Sequence, residues 1–258
     1  VGAWEPLPWP AKVRGQAAAV LMRGRLCLCG GSGEDEWALR STECFDPVKG
    51  SWSSLPPMAV ARRAPAAATV GGKLYVCGGT DGLQFLNSVE CFDPSLGAWV
   101  PCRRMATCRR SLAAAALLGK LYACGGSRGH MQSLDIVERF DPASGEWEPL
   151  QPMLSRRGGT CAPAAAGLLG RLYVCGGAGA FGGSVECFDP AAGSWARLPP
   201  ARLPPGLTVA AGLSGKLHVC GLEGSEDEGF GGHPSASALL FDPATGTWQQ
   251  LPSVREEP

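Results

Sequence analysis

The sequence predicts an all-β fold of repeated four-stranded units set as the blades of a β-propeller, and three observations carry that prediction. First, 37 glycines and 22 prolines in 258 residues disfavour long helices and suit short strands joined by tight turns. Second, Phe-Asp-Pro begins at Phe45, Phe92, Phe140, Phe188 and Phe241, at spacings of 47, 48, 48 and 53 residues. Third, a tryptophan follows each of these phenylalanines by seven residues, at Trp52, Trp99, Trp147, Trp195 and Trp248, while Trp4 stands 48 residues ahead of Trp52. Glycine pairs recur with the same period at Gly30-Gly31, Gly78-Gly79, Gly125-Gly126 and Gly176-Gly177, and the fifth copy reads Gly221-Leu222.

The second copy shows how one unit is built. Ala66 to Val70 is a strand of small residues, A, ending at Gly71-Gly72, where a two-residue hairpin needs positive φ. Lys73 to Cys77 alternates Leu74 and Val76 with Tyr75 and Cys77, the period of a strand, B, and stops at the glycine pair. After a polar loop, Val89 to Phe92 forms strand C. Asp93-Pro94-Ser95-Leu96-Gly97 then turns the chain, Pro presetting φ and Gly offering a left-handed exit. Strand D starts at Ala98-Trp99. The same turn chemistry returns from Asp46 to Gly50, Asp141 to Gly145, Asp189 to Gly193 and Asp242 to Gly246.

A single unit of this kind has two faces and cannot bury both, so such units stack radially as blades with the tryptophans between neighbours. The glycine pair, the Val-Glu-Cys-Phe-Asp-Pro run and the spaced Trp resemble the kelch repeat over essentially the whole chain. The resemblance implies a kelch propeller, of the kind found six-bladed at the end of BTB-kelch substrate adaptors of cullin-RING ubiquitin ligases. The repeats divide a single domain, 1–258, into a lone D strand at about 1–10 and units at 11–57, 58–104, 105–152, 153–200 and 201–258. That is five complete blades plus one extra N-terminal strand. Either five blades close with a spare strand, or the remaining strands of a six-bladed propeller lie upstream of Val1, and the missing initiator Met favours the second reading.

Composition excludes several functions. Lys and Arg number 23 against 23 Asp and Glu, so the formal charge is zero and nonspecific attraction to nucleic acid or anionic membranes is absent. Apolar residues reach 45%, enough for a packed core, and no uninterrupted apolar stretch approaches the ~18 residues of a membrane span. Of twelve cysteines, eight follow the repeat: Cys29, Cys77, Cys124, Cys175 and Cys220 end strand B, and Cys44, Cys91 and Cys187 share one place in strand C. Equivalent places on different blades lie farther apart than the roughly 7 Å a disulfide spans, so buried reduced thiols and a cytoplasmic or nuclear location are expected. The histidines, His130, His218 and His233, have no partners at metal-ligand spacing, and no glycine pair opens a helix, so neither a metal, a cofactor nor an enzymatic site is expected.

An antiparallel A-B-C-D meander puts its B–C and D–A loops on one face and its nearly uniform A–B and C–D turns on the other. The variable face is therefore the expected docking surface for a protein or peptide. Its D–A loops carry Arg62-Arg63, Arg109-Arg110 and Arg156-Arg157, with Arg14 and Arg202 in the first and fifth copies. The family resemblance implies that arginines here grip acidic partners; otherwise each pairs with the backbone or an acid of a neighbouring blade. Trp37, Phe85, Met131, Phe181 and Phe230 are the large apolar loop tips that could anchor a partner. Cys108, close in sequence to Arg103, Arg104, Arg109 and Arg110, is a candidate reactive thiol. By resemblance the function is substrate recognition for a ubiquitin ligase, with the BTB region outside this chain; an actin-associated kelch scaffold is the alternative.

Overall fold

Alternating small residues on the first strand of each repeat let five sheets converge on one axis. A computed structural model of the chain describes residues 7–129, 132–159, 161–177, 184–201, 208–223 and 235–254. The first blade is β1 (Ala18–Met22), β2 (Arg25–Cys29), β3 (Thr42–Asp46) and β4 (Ser51–Ser54), and the second β5 (Ala66–Val70), β6 (Lys73–Cys77), β7 (Val89–Asp93) and β8 (Ala98–Cys102). The third uses β9 (Ala113–Leu117), β10 (Lys120–Cys124), β13 (Val137–Asp141) and β14 (Glu146–Pro149); its B–C loop adds a ribbon, β11 (Ser127–Arg128) and β12 (Gln132–Ser133). The fourth is β15 (Pro163–Leu168), β16 (Arg171–Gly176), β17 (Val185–Asp189) and β18 (Ser194–Arg197), and the fifth β19 (Thr208–Leu213), β20 (Lys216–Glu223), β21 (Ser235–Asp242) and β22 (Thr247–Val254). Within each blade the four strands pair antiparallel in chain order, giving the five-bladed propeller the repeats predict.

Both turn types behave as their residues dictate. Gly71 and Gly72 hold φ of 57° and 74°, the doubly positive pair of a tight hairpin. In the C–D turns the aspartate carboxylate accepts backbone N–H groups two residues on, as Asp46 does from Val48 at 3.0 Å and Asp189 from Ala191 at 3.0 Å. The register then sets each Phe opposite its Trp, with ring centroids 4.9–5.4 Å apart in all five blades. Each indole Nε1 donates backwards to a carbonyl of the preceding D–A segment, at Pro8, Pro56, Arg103, Gln151 and Pro199, over 2.7–3.0 Å. The repeated tryptophan therefore ties each blade to the chain leading into it. Trp4 lies outside the described residues.

One cysteine expectation is corrected. Cys44, read as a reduced thiol, is joined to Cys27 in a disulfide with Cα atoms 4.0 Å apart. Cys27 occupies the strand-B position that Tyr75, Tyr122 and Tyr173 hold elsewhere, directly opposite the strand-C cysteine position. The period argument compared equivalent positions on different blades and overlooked a bridge between neighbouring strands of one blade. The five cysteines of the last strand-B position are free thiols.

Candidate functional site

The arginines of the variable face fall into two sets with opposite roles. Arg14, Arg62, Arg109 and Arg157 point inward, and the last three are only 0%, 0% and 2% exposed. Each guanidinium pairs with the glutamate two residues before Phe-Asp-Pro: Arg14 with Glu43 at 2.5 Å, Arg62 with Glu90 at 3.0 Å, and Arg109 with Glu138 and Arg157 with Glu186 at 2.9 Å. The other carboxylate oxygen accepts the backbone N–H of Ala11, Ala59, Ala106 or Leu154 at 2.7–2.8 Å. Nη1 of each arginine adds two carbonyls of its own blade; Arg109 donates to Gly125 and Ile136, both at 3.0 Å.

The backbones of the same residues reach the neighbouring blade. The carbonyls of Arg62, Arg109 and Arg157 accept from Gly31, Gly79 and Gly126 at 2.8–3.0 Å. A Cβ on Gly78 would stand 2.6 Å from the Arg109 carbonyl oxygen, which is why the pair must be glycine there. Arg62, Arg109 and Arg157 are thus ties within and between blades and Arg14 a tie within its own, and the expectation that these four line a docking surface is corrected. A buried guanidinium needs a carboxylate partner, and the glutamate in the Val-Glu-Cys-Phe-Asp-Pro run supplied it. In the fifth copy Leu239 takes the glutamate's place, and Arg202 lies outside the described residues.

The second set lies nearer the surface, Arg63 and Arg110 half-buried and Arg156 exposed. Arg63 lies over the Trp37 ring, 4.2 Å from its centroid, while its Nε donates to Gln16 at 2.8 Å. Trp37 itself is 61% exposed and rests against Gly82 of the next blade. One junction further on, Arg110 lies over Phe85 at 5.5 Å, with Phe85 half-buried. Arg156 is exposed and stands 3.7 Å from Asp135. Leu83, at the tip of the same loop as Phe85, is almost wholly exposed. Met131, Phe181 and Phe230 lie outside the described residues.

Cys108 is half-buried, and two of its basic neighbours are already paired, Arg103 with Glu146 at 2.8 Å and Arg109 with Glu138. The strand-B thiols Cys29, Cys77, Cys124 and Cys175 are fully buried, and burial pushes each up to about 12.

The family model for the KLHDC2/KLHL20/DRC7 Kelch-repeats domain matches residues 4–177, and that for the Kelch motif matches residues 159–202. The chain belongs to the kelch-repeat family. No curated protein sequence matches it. The solved structure of YjhT superposes with a TM-score of 0.74, covering 94% of this chain and 85% of that one at 17% identity, which shows a shared fold. Kelch propellers generally bind protein partners. On this kelch propeller the B–C/D–A face offers stacked cations and open apolar tips, whereas the opposite face repeats one Asp-Pro turn.

Proposed function

We propose that the chain is a non-enzymatic interaction module that captures an acidic segment of a protein partner on its B–C/D–A face. The observation that carries this reading is the pair of arginine-over-aromatic stacks, Arg63 on Trp37 and Arg110 on Phe85, at successive blade junctions. Each presents guanidinium N–H donors beside an apolar platform, the pairing that recognises a carboxylate flanked by apolar groups. Arg156 extends the cationic rim to a third junction. The family resemblance supports a narrower role, the substrate-recognition propeller of a cytoplasmic or nuclear cullin-RING ubiquitin-ligase adaptor, with the BTB region outside this chain.

Affinity capture with the wild-type chain, followed by the same capture with Arg63→Ala, Arg110→Ala and Arg156→Ala combined, tests the reading. Partners held by this face should be lost by the triple variant at unchanged thermal stability, while Lys49→Ala on the turn face retains them. Retention by the triple variant, or loss with Lys49→Ala, would move the docking surface elsewhere. Recovery of actin in place of ligase components would support the cytoskeletal alternative.

A further inference from the structure

Three places after the repeated tryptophan the chain has Leu55, Leu150, Leu198 and Leu251, but in the second repeat Cys102 stands there. In strand C of the same blade, Cys91 holds a place that is Cys44, Arg139, Cys187 or Leu240 in the others. Blade two is therefore where a strand-C cysteine meets a strand-D cysteine. β7 and β8 pair with Val89 opposite Cys102 and Cys91 opposite Val100, which makes the two cysteines diagonal neighbours with side chains on one face. That face is turned towards blade three. Cys91 is buried there with Tyr75, Val89, Leu121 and Phe140, and Cys102 packs against the same cluster.

The two sulfurs touch. Cys91 Sγ accepts the Cys102 S–H and the Tyr75 hydroxyl, and the Lys73 ammonium, itself 2.7 Å from Asp93, lies close enough to favour a thiolate. Chiefly through the Cys102 contact, the Cys91 thiol is held below its ordinary value, against its burial and the Asp93 carboxylate. The same contact, and then burial, pushes Cys102 up. The pair is thus unequal: Cys91 is the sulfur that ionises, and Cys102, half-buried, is the one that keeps its proton. Neighbouring thiols lack this arrangement. Cys187 holds the place of Cys91 in blade four and accepts from Tyr173, but Leu198 stands where a second thiol would be, and burial pushes Cys187 up. Cys77 lies two strands from Cys102, with Val89 between them.

We propose that Cys91 and Cys102 are a dithiol that hydrogen peroxide converts into a disulfide across strands C and D of blade two. The Cys91 thiolate attacks one peroxide oxygen, the O–O bond breaks, and the departing hydroxide takes up the proton that Cys91 released and leaves as water. Cys91 is then a sulfenic acid. Cys102 gives up its proton, its sulfur attacks that of Cys91, and the S–O bond breaks with loss of a second water. Two thiols have lost two electrons and two protons, and one peroxide has become two waters. Bond formation draws the sulfurs from hydrogen-bonding distance to about 2.05 Å. The backbone that gives is the end of β8, an outer strand paired on one side, where Cys102 is the last residue and Pro101 before it has no N–H for the ladder. The pair sits in the wall between blades two and three, so its chemistry does not depend on partner capture.

The test takes the full chain, reduced and desalted, through hydrogen peroxide, denaturing alkylation and tryptic digestion. Cys77, Cys91 and Cys102 fall in one tryptic peptide, Leu74 to Arg103. That peptide should lose two hydrogens, with fragmentation placing the bridge at Cys91 and Cys102 and Cys77 still alkylated. In Cys102→Ser the hydroxyl still donates to Cys91 but the sulfenic acid meets no thiol, so dimedone should trap it at Cys91 at a rate about tenfold or more above that at Cys187 in the same molecule. Cys102→Leu supplies the residue of the other repeats and no donor, and should bring Cys91 down towards the rate of Cys187. A bridge from Cys77 to either thiol, or Cys91 in Cys102→Ser trapped no faster than Cys187, overturns the proposal. So does a peptide from Leu74 to Arg103 that stays fully alkylated while Cys27 and Cys44 re-form their bridge.

Discussion

Replacing Arg109 separates a structural tie from a docking residue by the size of its effect on stability. The guanidinium is fully buried and donates to the Gly125 and Ile136 carbonyls, to Ala123 at 3.3 Å and to Glu138 at 2.9 Å. Arg109→Ala strands a buried carboxylate that keeps only the Ala106 N–H, at 2.7 Å. Breaking a buried pair on one side costs about 3–5 kcal/mol. At roughly 2–4 °C per kcal/mol for a domain near this size, the thermal midpoint should drop by about 6–20 °C. Burial also weakens the charged form of Arg109, since desolvation works against it and Glu138 restores it. Removing both charges, with Arg109→Met and Glu138→Leu, should cost less than Arg109→Ala alone, about 1–3 kcal/mol for the backbone groups left unpaired. Leu239 already occupies the glutamate position in the fifth repeat, so an apolar side chain is accommodated there. Urea denaturation of the two single variants and the pair closes a double-mutant cycle. Arg109→Ala with wild-type stability and lost partner binding would refute the assignment as a tie.

Three further outcomes follow from the geometry. Trp99→Phe keeps the ring packing against Phe92 but removes the bond to the Pro56 carbonyl, and should lower stability by about 0.5–1.5 kcal/mol in urea denaturation; an unchanged midpoint would show that water replaces the bond without cost. Mass mapping under native conditions should find Cys27 joined to Cys44, with iodoacetamide labelling Cys108 well before Cys77, Cys124 and Cys175. At about 12 those buried thiols hold more than about a thousandfold less thiolate than an unperturbed thiol near 8.5, and equal labelling would contradict their burial. Asp93 is held below the ordinary aspartate range by the Lys73 ammonium and by Ser95, so its contribution to stability is present above the unfolded value of about 3.9 and is lost as pH falls through and below it. Chemical denaturation between pH 7 and pH 2 should therefore show a shallower acid loss for Asp93→Asn than for wild type, and parallel curves would count against the turn's carboxylate as the source.

The parts of this fold legible in the sequence are those that repeat. Phe, Asp-Pro, Gly and Trp return at fixed spacing because every blade makes the same turn and the same indole bond, so blade number, strand order and the uniform turn face could all be read from periodicity. The same periodicity misled where repetition meant structure. Arg14, Arg62, Arg109 and Arg157 recur at intervals of 47 or 48 because each repeat needs its glutamate clamped, and a residue required in every blade serves the scaffold before it serves a partner. Recognition has to differ from one blade to the next, so its residues are those that break the period. Arg63 and Arg110 are matched in the first and fourth repeats by Gly15 and Gly158, and the place seven residues after the first glycine of each pair, aromatic at Trp37 and Phe85, holds Gln132 and Gly183 in the third and fourth repeats. The Cys27–Cys44 bridge is a departure of the same sort, a cysteine standing where three other repeats keep tyrosine. On a repeat scaffold, the informative question for function is which side chains the repeat does not explain, and of these Arg63, Arg110, Trp37 and Phe85 gather on one loop face.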